Sequence, residues 1–122
     1  MLHDNLIADL SENFALHIIK MYNYLRKEKK EYTLSLQIYR SGTSIGANVS
    51  ESKNAQSRAD FISKLSIALK EAGETEFWLR LLYKSEKISE GEYNSIQNDL
   101  NIIIGTLIKI IKKTKENMKR GK

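Results

Sequence analysis

Not one proline interrupts this chain of 122 residues, and its six glycines are scattered rather than gathered into turns. Proline and glycine are the strongest local breakers, so a chain this poor in them can carry long uninterrupted helices. No alternation of apolar and polar residues is sustained, which leaves no strand to compete. The expectation is an all-α fold.

Four stretches carry apolar residues at helical spacing. The first runs from about Asp4 to Lys30, with Ile7, Leu10, Phe14, Met21 and Tyr24 in one row and His17 among them. Asp4 is its expected N-cap, and the basic cluster Arg26, Lys27, Lys29 and Lys30 suits its C-terminus. The second starts near Thr33 and ends near Lys53–Ala55. The third follows Ser57, with Asp60 completing a loose capping box, and ends near Lys87. Phe61, Leu65, Ala68, Ala72, Thr75, Leu79 and Leu82 form its stripe.

The fourth opens on a capping box from Ser89 to Glu92. Tyr93, Ile96, Leu100, Ile103, Leu107 and Ile110 then step by threes and fours, with a second stripe at Ile104, Ile108 and Ile111. Two stripes make a wider apolar face than one bundle seam needs, so this helix is either deeply buried or joins subunits. Helices of about 20–30 residues are rods of about 30–45 Å. Connections of a few residues make neighbours antiparallel. The expected architecture is a single domain over residues 1–122, an up-down-up-down four-helix bundle with a basic C-terminal tail.

The second helix departs from a stability-only pattern. Its stripe of Leu34, Ile38 and Ile45 also runs through Ser41, Asn48 and Ser52. Polar groups at core positions need hydrogen-bond partners. A second row, Gly42, Gly46 and Ser50, has almost no bulk and invites close approach of another helix. With the turn centred near Gln56, Arg40 falls opposite Ala72, within a turn of Glu71 and Glu74, and Asn48 falls opposite Lys64. Arg40 with Glu71 or Glu74 is thus an expected ion pair, and Arg40, Ser44, Asn48, Glu51, Glu71 and Glu74 an expected structural seam that fixes register. The alternative is that Arg40, Asn48, Glu51 and Glu71 line a site.

Charge is uneven. Residues 109–122 hold seven basic residues (Lys109, Lys112, Lys113, Lys115, Lys119, Arg120, Lys122) against Glu116, a balance of 7 − 1 = +6, while the rest holds 13 basic and 14 acidic residues, or −1. Such a tail is either a solvated helix end or a sequence-independent contact for phosphates. In an antiparallel bundle it lies at the end opposite Arg26–Lys30, which makes two basic ends. Tyr22, Tyr24 and Tyr32 near the first cluster read more simply as bundle-edge residues than as a base-stacking surface.

Enzyme chemistry is not expected. There is no cysteine. Bundle metal pairs need Glu-x-x-His on two helices, and neither His3 nor His17 stands three residues after a Glu. No glycine-rich phosphate loop and no Ser/His/Asp set is present, so no cofactor is expected. No apolar run exceeds three residues. Neither a membrane span nor a signal-peptide core is therefore expected, and with no cysteines the expected compartment is the cytoplasm.

The segment from Arg40 to Ser89 resembles the four-helix bundle proteins also known as 23S rRNA intervening-sequence proteins. The matching residues are Arg40, Ser44-Ile45, Asn48 and Glu51, then Phe61, Ala68, Glu71, Glu74 and Trp78. The family pattern runs roughly S-I-x-x-N-I-x-E-G; here Val49 replaces Ile and Ser52 stands where Gly is usual. The resemblance implies a homopentameric bundle with no accepted enzymatic activity. The Lys70–Leu79 stretch is similar to the basic accessory factor of diversity-generating retroelements, which implies nucleic acid and a reverse transcriptase as partners. Two functions are therefore expected to compete: a nucleic-acid-binding homo-oligomer, and a protein–protein scaffold.

Overall fold

The computed structural model describes residues 2–121, with side chains over 6–121. Lys122 and the side chains of His3 and Asp4 lie outside the described residues. The chain forms α1 (Leu2–Lys27), α2 (Leu34–Ser52), α3 (Arg58–Lys84) and α4 (Glu90–Lys119). Each helix packs on two neighbours, α1 on α2, α2 on α3, α3 on α4 and α4 back on α1. The result is the antiparallel four-helix bundle expected from the stripes. Phe14 and Ile18 of α1, Ile38 and Ile45 of α2, Leu65 and Leu79 of α3, and Leu100 and Leu107 of α4 meet in its fully buried centre.

The small-residue row lets α1 and α2 approach closely. A Cβ built on Gly42 would stand 2.9 Å from Ile18 Cγ1, and one on Gly46 would stand 3.2 Å from the carbonyl oxygen of Ser11. No helix of the described residues is long and apolar enough to cross a membrane.

The helix ends need correction. α1 stops at Lys27 and α3 at Lys84, each three residues short of expectation. Both are followed by a residue in the left-handed region, Lys30 at φ 54° and Glu86 at φ 63°. Glycine usually marks such a stop, and here a Lys and a Glu occupy it without that signal. The helical backbone of α1 already covers Asp4, so Asp4 is not the N-cap. At α3 the Ser57 hydroxyl accepts from the Asp60 amide at 3.0 Å, as expected. At α4 only half of the capping box forms. The Ser89 hydroxyl accepts from the Glu92 amide at 3.1 Å, but the Glu92 carboxylate turns to His17.

The cap of α2 comes from a residue that was not singled out. Glu31 accepts from the backbone amides of Thr33, Leu34 and Ser35 at 3.2, 3.0 and 2.7 Å. These amides have no partner within the helix, and a carboxylate at the positive end of the helix dipole satisfies them.

Candidate nucleic-acid interface

The polar stripe of α2 resolves into structural contacts. Ser41 and Ser52 are buried. The Thr75 hydroxyl donates to Ser41 Oγ at 2.9 Å and also lies 2.8 Å from the Glu71 carbonyl, while Ser52 donates to the Val49 carbonyl at 2.6 Å. Ser44 donates to the Arg40 carbonyl and Asn48 to the Ser44 carbonyl, so both side chains serve their own helix. Lys64 reaches Glu51 at 3.3 Å.

The expected ion pair of Arg40 with Glu71 or Glu74 does not form. Ser41 meets Thr75, which shifts the register by about four residues, one helical turn, from a turn centred on Gln56. Arg40 is then exposed and its guanidinium stays hydrated, which avoids the desolvation cost of a seam position. The cross-seam bond belongs to the neutral Ser41–Thr75 pair, and Asn48 does not bond across the seam.

Glu71 is left beside its helix neighbours. Its carboxyl is pushed above the ordinary 4.5, first by burial and then by Glu74, against an opposing pull from Lys70. A raised pKa means that the folded state holds the proton more readily than the unfolded one, so ionised Glu71 weakens the fold at neutral pH. Glu71→Gln is expected to raise the Tm modestly at pH 7. That gain should fade as pH falls through the folded pKa and vanish below 4.5, where both states are protonated. Thermal melts of the two proteins at several pH values check this.

The basic tail is a continuous part of α4. Lys109, Lys112, Lys113, Lys115, Lys119 and Arg120 are all exposed. Among the described residues the contacts between basic and acidic side chains are the His17–Glu92 hydrogen bond and the Lys64–Glu51 ion pair, and neither engages the tail. Lys112, Lys115 and Lys119 line a groove of about 470 Å³ together with Glu116, Leu69, Ile108 and Ile111. The second stripe of α4 is therefore divided. Ile111 is buried, Ile104 half-buried, and Ile108 is 48% exposed in the groove. Antiparallel packing puts the exposed Lys53 and Arg58 at this same end.

The other basic cluster lies at the opposite end. Lys27, Lys29 and Lys30 are exposed, and Arg26 is half-buried. The Arg26 guanidinium lies 5.2 Å from the Tyr22 ring centre and 5.0 Å from that of Tyr32. Tyr22 in turn packs on Tyr39 at 4.6 Å between ring centres. Tyr24 stands apart, lining a cavity of about 410 Å³ with His17, Lys20, Met21, Ile88, Ser89 and Glu92. There His17 Nε2 donates to Glu92 Oε1 at 2.6 Å. Among the described residues no group of three His, Asp or Glu side chains could hold a metal ion.

Sequence reasoning missed Glu31, Tyr39, Thr75 as a partner of Ser41, and Leu69 in the groove. Glu31 alone carried a usable signal, an acid just ahead of a helix start.

These features define a class: small all-α antiparallel bundles with a cationic surface at each end. The sequence profile of the 23S rRNA-intervening sequence protein family matches residues 3–109, and the chain belongs to that family. It is similar to a solved structure from Bacteroides thetaiotaomicron VPI-5482, a protein of unknown function from the S23 ribosomal protein family. The two are 55% identical and superpose with a TM-score of 0.89 over 90% of this chain and 98% of the other. A comparison with curated proteins returns no match.

Proposed function

We propose that this protein is a non-enzymatic, cytoplasmic homo-oligomer that binds RNA or DNA through its Lys/Arg surfaces, with the α4 tail as the principal contact. One observation carries the reading. Six basic side chains at the end of one helix are solvent-exposed, and among the described residues no carboxylate pairs with them. Exposed Lys and Arg in such density attract phosphates without regard to sequence. Oligomerisation would gather several tails into one field and raise the local potential. The family resemblance favours a pentamer and a role as accessory factor beside a reverse transcriptase.

The rival is a protein–protein scaffold, favoured by exposed Ile102 and Ile108 on α4. Light scattering separates part of this rival: a monomer would leave those side chains for a foreign partner.

The test is fluorescence anisotropy of labelled RNA and DNA across a salt series. The expected result is binding at low salt whose logarithm falls linearly with the logarithm of salt, by about 0.9 per phosphate contact on duplex and about 0.7 on single strands. Absence of binding at low salt would sink the proposal.

A further inference from the structure

We infer that the α1–α2 end of the bundle is a stacking platform for an unpaired base of a single strand, with Tyr32 as the receiving surface. The inference rests on the nucleic-acid reading above and adds to it a second contact and a preference between strand types.

Four planar groups follow one another at this end. Tyr39 packs on Tyr22, Arg26 lies over Tyr22, and the same guanidinium lies over Tyr32. Tyr32 terminates the row and is 51% exposed. A nucleobase laid on it would extend the series by one more plane. Base–aromatic stacking tolerates any sequence, and Arg adds a cation–π contribution.

The turn that carries Tyr32 is held by the backbone. The Glu28 amide donates to the Tyr24 carbonyl at 2.8 Å and the Glu31 amide to the Leu25 carbonyl at 2.9 Å. Glu31 is tied to the amides of Thr33, Leu34 and Ser35 at the start of α2, which fixes the residue next to Tyr32. The same tie turns the acid nearest Tyr32 toward the helix end. Lys27, Lys29 and Lys30 are exposed in the segment that leads to Tyr32, and Glu28 is an exposed carboxylate in the same segment.

This site differs in kind from the tail. The tail offers charge, which duplexes and single strands both satisfy. Tyr32 offers a ring face, and only a base out of its stack can lie on it.

The experiment compares a labelled oligo(dT) of about 12 nucleotides, within the range of single-strand site sizes, with a duplex of the same length, on Tyr32→Ala, Tyr32→Phe and Arg26→Lys proteins. Tyr32→Ala is expected to weaken single-strand binding about five- to 150-fold and to leave duplex binding and the salt slope unchanged. Tyr32→Phe keeps the ring and should bind as the parent does. Arg26→Lys keeps the charge but loses the planar group, and should weaken the single strand alone. Unchanged single-strand binding by Tyr32→Ala, or equal loss on duplex and single strand, would overturn the inference and leave the tail reading standing. Failure of the parent protein to bind either probe would remove both.

Discussion

Replacing Ile18 by alanine is expected to cost this bundle about 2–5 kcal/mol, and adding Gly42→Ala to the same chain is expected to return part of that loss. Ile18 is fully buried, and its Cγ1, Cγ2 and Cβ stand 2.9, 3.1 and 3.4 Å from where a Cβ on Gly42 would lie. Gly42→Ala alone gains about 1 kcal/mol of helix propensity. It must also push aside a branched side chain with no open space to enter, which costs about 1–3 kcal/mol. The single change is therefore expected to be neutral to destabilising. With Ile18 shortened, the same methyl fills space instead of clashing, and its sign reverses. Urea unfolding of the four proteins in the cycle gives the coupling. Additive effects would mean that Ile18 does not set the α1–α2 distance.

Changing Lys112, Lys115 and Lys119 to Gln is expected to weaken duplex binding by roughly three orders of magnitude at 50 mM salt. Each lost phosphate contact lowers the salt slope by about 0.9, so three lower it by about 2.7. All three side chains are exposed and, among the described residues, make no ion pair, so the fold should be unaffected and the change should fall on binding alone. Glu116→Gln in the same groove is expected to shift affinity the other way. Anisotropy at several salt concentrations, with circular dichroism as a control on folding, reads both. An unchanged slope in the triple variant would place the contact elsewhere on the molecule.

How far the sequence could be read differs between fold and surface. Helix number, order and buried stripes follow from spacing, because Phe14, Ile38, Leu79 and Leu107 must face one centre whatever the exact register. The small row Gly42–Gly46 was legible for the same reason: absence of bulk has one structural consequence. Helix ends were not, because Lys30 and Glu86 adopt a conformation that ordinarily advertises itself as glycine. Register was not legible either. A shift of about one turn moves Arg40 away from its expected partners, yet leaves the central stripes of α2 and α3 facing inward. The tail was visible as composition, whereas of the row from Tyr39 to Tyr32 only Tyr22, Arg26 and Tyr32 stood out, read as bundle-edge residues and a basic cluster, and Tyr39 did not. Its members come from α1, α2 and the turn between them, and only folding brings them together.

Three of the four seams join helices that follow one another in sequence. The fourth, α1 against α4, is the loosest and joins the two ends of the chain. Among the described residues its one polar clasp, His17 with Glu92, spans 75 positions. A loop of that length carries the largest closure entropy in the molecule. The three hairpins are therefore expected to close before the last seam, with the clasp as the final latch of assembly. The same logic runs backward. When the barrel of helices breathes, it should part along this line first, with the amides of the outer helices exchanging before those of α2 and α3.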